Sequence, residues 1–159
     1  MWIDLVDRNE LQSIPPGAAL LSDNGISIVY HYSRVVYKRS IPFLIENELW
    51  CLEQMEFSGF VPAASRWDKY TISMLYIERQ PITDKDLFLS YREPLMDALD
   101  NVKIRHGDIT KYAIIPNDNR PYLIDFAESR IREDPRPDKR PKGDEYWIWR
   151  TFEELCNES

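Results

Sequence analysis

The chain of 159 residues is short of several things, and each shortage excludes something. No apolar run approaches the ~20 residues that a membrane-crossing helix needs, and Met1-Trp2-Ile3-Asp4 does not read as the start of a secretory signal. Positive charge is scarce: 20 Lys and Arg stand against 27 Asp and Glu, a net charge of −7 with a pI near 4.9. A polyanion rewards excess Lys and Arg, so general binding to nucleic acid or to an anionic membrane is not expected. The two cysteines, Cys51 and Cys156, sit in apolar helical patterns without metal-type spacing, which reads as buried thiols in a reducing compartment. Internal repeats and low-complexity tracts are absent. The expected setting is cytoplasmic. What remains, 43% hydrophobic residues, suffices for one ordinary core and is too little for two full domains.

The densest pattern runs from Arg105 to Arg130. Two short apolar runs, Ala113 to Ile115 and Tyr122 to Ile124, flank the turn-forming string Pro116-Asn117-Asp118-Asn119-Arg120-Pro121. This spacing predicts a β-hairpin whose loop is longer than a tight two-residue turn. Asp108 precedes the first run and Asp125 closes the second, so folding the hairpin brings two carboxylates to one end of a small sheet. Read without further context, they are either a site or two unrelated surface aspartates.

His106-Gly107-Asp108 followed by Ile124-Asp125-Phe126-Ala127 resembles the catalytic loop and the metal-binding aspartate motif of the protein-kinase-like fold. That resemblance implies ATP and Mg²⁺ as cofactors, with Asp108 handling the proton of the attacking hydroxyl and Asp125 holding the metal against the phosphates. The string His106-Gly107-Asp108-Ile109-Thr110 is most similar to the small atypical kinase of the KEOPS tRNA-modification complex, and more distantly to RIO-type kinases and aminoglycoside phosphotransferases. His106 is then structural, packing below the loop.

The same resemblance orders the rest of the chain. Residues 18–21, 26–32 and 34–37 read as strands, the first two around a Ser22-Asp23-Asn24-Gly25 turn, and Val35-Val36-Tyr37-Lys38 is similar to the family's V-A-I-K strand, whose lysine meets the nucleotide phosphates. Ser40-Ile41-Pro42 reads as an N-cap with proline in the first turn, opening a helix to Met55. In that helix Glu48 has the register of the lysine's glutamate partner, with Glu46 as the fallback. Strands over 61–67 and 70–77 lead to a hinge, where the resemblance puts Met74 at the back of the pocket, the Leu75 carbonyl and the Ile77 N–H on adenine. Thr83-Asp84-Lys85-Asp86 opens a further helix with a kink or break near Arg92-Glu93. A last helix covers 145–156, where Asp144 is either its N-cap or a brace beneath the catalytic loop.

Three departures bear on chemistry. Gly25 is the only glycine in the first turn, so a glycine-rich lid that cradles phosphates is missing. Ala113 stands five residues after Asp108, where the family has an asparagine that ligates a second metal; a methyl cannot coordinate a hard cation. Gly107 replaces the arginine that would bind an activation-loop phosphate, and residues 131–143 contain no Ser, Thr or Tyr to phosphorylate. The basic, proline-rich stretch 131–142 reads as an extended loop, either a solvated connector or a docking strip for an acidic or phosphorylated protein partner or for RNA.

The expectation is an α+β, miniature bilobal kinase-like domain. Residues 1–76 form an antiparallel sheet with one helix, 77–82 a hinge and 83–159 a reduced helical lobe. Two functions stay open. One is an ATP- and Mg-dependent phosphotransferase acting on Ser/Thr or on itself, with Lys38, Glu48, Asp108 and Asp125 in its site. The other is a catalytically inactive pseudokinase serving as an interaction or inhibitory module.

Overall fold

The computed structural model describes residues 2–159. Short 3-10 turns at Trp2–Leu5 and Arg8–Glu10 lead into five strands: β1 (Ala19–Asp23), β2 (Ile28–Tyr32), β3 (Val35–Arg39), then, after helix α1 (Pro42–Met55), β4 (Ala64–Asp68) and β5 (Thr71–Leu75). They make one antiparallel sheet in the order β1-β2-β3-β5-β4. The helical part follows, with α2 (Lys85–Leu89), α3 (Arg92–Val102) and α4 (Gly143–Glu158), and between the last two the short strands β6 (Ile104–Arg105), β7 (Ile114–Asn117), β8 (Arg120–Leu123) and β9 (Arg130–Ile131). The architecture is a small α+β kinase-like fold. No helix among the described residues is long and apolar enough to cross a membrane.

Periodicity explains the packing. Ile45, Leu49, Leu52 and Met55 recur at helical spacing on α1 and are buried against Ile72 and Met74 of β5. Leu95 and Leu99 of α3 meet Ile148, Phe152 and Leu155 of α4 in the same continuous core. There Phe88 and Phe152 stack with centroids 4.6 Å apart, an offset geometry that adds about 0.5–1.5 kcal/mol beyond area burial. Both cysteines are buried and free, and burial pushes the Cys51 thiol up to about 12, well outside the reactive range.

Two local readings are corrected, and the break expected near Arg92-Glu93 is placed. The β7–β8 hairpin closes with a tight two-residue turn, not a long loop: Asp118 and Asn119 take φ of 51° and 58°, and Pro116 pairs with Pro121 inside the ladder. Proline is tolerated there because a two-stranded ribbon is all edge, and Asp and Asn accept the left-handed conformation such a turn demands. Ser40 does not cap α1. Its hydroxyl donates to the Ile26 carbonyl and ties β3 to the first turn, while Ile41 holds the cap position with no side-chain bond. The second helix breaks at Ser90–Tyr91, so that Pro94 falls in the first turn of α3, where its missing N–H costs nothing.

Candidate functional site

β3 and α1 build the buried end of a cleft. Lys38 pairs with Val29 on one side and Ile72 on the other, at the centre of the sheet, so its side chain leaves a rigid strand. Its Nζ donates to Glu48 Oε2 at 2.9 Å and to Asp125 Oδ1 at 3.4 Å. Lys38 is 7% exposed and Glu48 1%, whereas the Asp125 side chain is 49% exposed and faces the cleft. Burial works against the Lys38 charge, but the Glu48 and Asp125 carboxylates outweigh it and leave the ammonium's pKa raised. Burial pushes the Glu48 carboxyl up, with Lys38 pulling the other way. The pair is ionised, since a protonated Glu48 would leave a buried ammonium with only the half-exposed Asp125 as counter-charge. Glu46 lies apart: it meets Arg66 at 2.6 Å on the surface.

The loop carrying Asp108 is fixed from below. The buried Asp144 accepts the main-chain N–H of His106 at 2.7 Å and of Gly107 at 2.9 Å. It therefore braces this loop and does not cap its own helix, whose N-cap position is Lys142. His106 donates through Nε2 to the Ile124 carbonyl at 2.7 Å, which leaves Nδ1 to accept the Asp108 N–H at 3.2 Å. Its ring also meets Phe126 edge-on at 4.9 Å. The Asp108 loop and the Asp125 turn are thus joined through one imidazole. Asp125 itself has φ of 65°, a left-handed conformation that Asp tolerates better than most non-glycine residues. The chain that follows it is held by Asn47 of α1, whose amide donates to the carbonyls of Phe126, Ala127 and Ser129 at 3.3, 2.9 and 2.7 Å.

Lys38, Asp108 and Asp125 line one cavity of about 270 Å³, together with Ser22, Asn24, Ile26 and Ser27 of the β1–β2 turn and with Ala127, Glu128 and Lys139. The turn over this cavity has already used its donors. Asp23 Oδ1 accepts the Gly25 N–H at 3.0 Å, and Asn24 Oδ1 accepts those of Ile26 and Ser27 at 2.9 and 2.7 Å. Ala113 is 1% exposed and belongs to the core, and it does not line the cavity. Nor do Met74, Leu75 and Ile77. Pairing sets His31, Val36 and Met74 side by side, and the rings of His31 and Tyr76 stack at 3.9 Å across that end of the sheet.

The basic stretch 131–142 is largely exposed but anchored along its length. Its start continues β9, paired with β6. Arg105 donates to the carbonyls of Asp134 and Arg136 at 2.8 and 3.0 Å and meets Asp138 at 3.1 Å. The Arg140 N–H bonds the Gly107 carbonyl at 2.9 Å, while its guanidinium bonds the Ile109 carbonyl and lies 3.5 Å over the Trp147 ring. Within the stretch Arg132 also pairs with Asp100 and Arg136 with Asp134. This strap lies across the Asp108 loop and delivers Lys139 to the cavity.

Asn47, Glu128 and Lys139 were not visible as site residues in the sequence, because each arrives from an element whose place depends on tertiary contacts. A hint was available for one of them: Asn47 directly precedes Glu48.

No protein-family model and no curated protein matches the sequence. Solved structures do match in fold. The streptomycin–ATP–APH(2")-IIa ternary complex is 13% identical, with a TM-score of 0.54 over 98% of this chain and 81% of that one. WbdD in complex with the kinase inhibitor LY294002 is 13% identical, with a TM-score of 0.56 over 85% of this chain. A further WbdD crystal structure is 12% identical, with a TM-score of 0.58 over 87%. The chain spans only 44% and 45% of the two WbdD chains. These likenesses establish a kinase-like fold.

Proposed function

We propose that the protein binds ATP and transfers its terminal phosphoryl group to a hydroxyl, as an atypical kinase. The observation that carries the reading is the convergence of Lys38, Glu48, Asp125 and Asp108 on one cleft. Buried ion pairs cost desolvation and are weak evidence for stability alone, so a lysine held between two carboxylates at a cavity wall argues for a ligand with charge to place there. By this reading residues 1–76 and 83–159 are two lobes with a hinge at 77–82, Met74 backs the base, and the Leu75 carbonyl and Ile77 N–H meet its edge. The Leu75 N–H is already bonded to the Ala63 carbonyl, which leaves that residue's acceptor side for the base. The His31–Tyr76 stack must accommodate the ring. The H-G-D-I-T string favours the KEOPS and RIO type of small kinase over a phosphorylation-switched one.

The metal fit is partial. Among the described residues no three His, Cys, Asp or Glu side chains cluster as a self-sufficient metal cage. Asp125 offers a half-exposed carboxylate of the oxygen type that Mg²⁺ takes, the other ligands then being phosphate oxygens and water. Magnesium held there would neutralise charge on the phosphates. Lys38 meets those phosphates from beside Asp125, and Glu48 holds it there. Asp108 orients the acceptor hydroxyl and takes its proton. The acceptor oxygen forms its bond to the terminal phosphorus, the bond to the bridging oxygen breaks with its electron pair leaving on ADP, and the proton passes from Asp108 to water.

The test is a thermal-shift titration with ATP, with and without Mg²⁺, followed by transfer of labelled phosphate by the wild type and Asp125→Ala. Magnesium-dependent stabilisation is expected, with transfer lost at least ~100-fold in the variant. No response to ATP overturns the reading. Binding without transfer selects the second reading, a pseudokinase that serves as an interaction module. The buried methyl of Ala113 and the self-satisfied N–H groups of residues 25–27 favour that reading.

A further inference from the structure

Two cations line the cavity, Lys38 and Lys139, and they are placed very differently. Lys38 is committed to Glu48 at 2.9 Å. Lys139 comes from the strap, its Nζ 3.6 Å from Asp108 Oδ2 and 3.9 Å from Glu128 Oε2, with its side chain 66% exposed. Its neighbours in sequence are anchored. Asp138 meets Arg105 at 3.1 Å and packs where a Cβ on Gly107 would stand, 3.0 Å from its carboxylate, and Arg140 bonds the Gly107 and Ile109 carbonyls. The main chain is therefore fixed on both sides of a long side chain whose ammonium is held by two loose contacts. Such a head group can change partners at little cost.

The cavity also needs it. Three carboxylates, Asp108, Asp125 and Glu128, line the space into which a triphosphate would bring several more negative charges. Lys38 is largely offset by Glu48, Ala113 supplies no oxygen for a second cation, and the turn's own side chains hold the N–H groups of residues 25–27. We propose that Lys139 supplies the second positive charge at the terminal phosphate, leaving Asp108 and Glu128 for it when the nucleotide enters. The inference rests on the nucleotide reading above and deepens it. Release of Lys139 also uncovers the Asp108 carboxylate for the acceptor hydroxyl, so one movement of an ammonium charges the phosphate site and frees the base.

A cation at the terminal phosphate discriminates between triphosphate and diphosphate, and a merely structural strap residue does not. Isothermal titration of ATP and ADP, each with Mg²⁺, into the wild type, Lys139→Gln and Lys139→Arg reads this directly. Lys139→Gln should lose about tenfold in ATP affinity, the order expected for one charge pair near the surface, and leave ADP affinity unchanged. Lys139→Arg should keep the wild-type preference. If the wild type binds ATP but the ratio of ATP to ADP affinity is the same in Lys139→Gln, the inference is overturned and the nucleotide reading stands. If the wild type binds neither nucleotide, both fall together.

Discussion

The two ends of the cleft carry the same kinds of charge and hold them by opposite means. At the sheet end, Lys38, Glu48 and Asp125 come from β3, α1 and the turn after β8, and the ammonium and the Glu48 carboxylate are sunk in the core. At the strap end, Lys139 and Glu128 are exposed and Asp108 is half-buried, the ammonium lies 3.6 and 3.9 Å from the Asp108 and Glu128 carboxylates, and only the main chains beneath them are clamped. In the first case position is set by side-chain packing, so charge and stability are inseparable. In the second, position is set by backbone bonds to Gly107 and Ile109 and by the Arg140–Trp147 stack, which leaves the charged head groups free to exchange partners. A site that must both grip a ligand and let it go can use one end for each.

Breaking each end in turn should therefore give unequal results. Glu48→Ala leaves a buried ammonium facing Asp125 alone, and denaturant unfolding should show a loss of about 3–5 kcal/mol. Lys139→Gln should change the same measurement by less than about 1 kcal/mol, as for other exposed ion pairs. Comparable losses in the two variants would mean that the strap end is structural after all.

How far these ends could be read from the chain follows the same division. The α+β kinase-like fold was legible through the resemblance carried by the H-G-D and I-D-F-A motifs one hairpin apart, with helical periodicity in support. Lys38 and Glu48 were candidates through that same resemblance, by their place on a strand and in a helix. The hairpin turn was misread because Pro116 and Pro121 look like loop residues until the ribbon proves to be all edge. Ser40 was taken for a cap when its hydroxyl had a long-range acceptor in Ile26. The strap was least legible. Its arginines look like solvent-facing charge, as Arg132 and Arg136 largely are, and only the fold reveals that the Ile109 carbonyl and the Trp147 ring take Arg140.

A smaller effect sharpens the strap's side of the comparison. Gly107 has φ of +81°, and a Cβ there would come within 3.0 Å of Asp138 Oδ1. Gly107→Ala should cost about 1–2 kcal/mol from the left-handed backbone alone. The carboxylate of Asp138 must also shift, and the residue that follows it is Lys139. Calorimetry on this variant should find ATP binding weakened more than ADP binding. Equal weakening would mean that the strap can move without carrying Lys139 off the phosphate.

The finest distinction concerns pH. Lys38 in the folded chain has a pKa raised above the value of 10.5 that it takes when unstructured, through the two carboxylates and against its burial. A group shifted in this direction binds its proton more tightly when folded. Its contribution to stability is therefore complete below pH 10.5 and is lost as the pH rises through the higher folded value. Other lysines and the tyrosines titrate in the same alkaline range, so the wild type alone is uninformative. Its difference from Lys38→Met cancels their share. Unfolding free energies of the two proteins, followed from roughly pH 9 to 12, should show a gap that is constant at first and then changes against the wild type above 10.5. A gap that stays flat across the whole range would mean that Lys38 titrates alike in the folded and the unfolded chain. The two carboxylates would then not outweigh its burial, and the contrast with the strap would be one of packing alone.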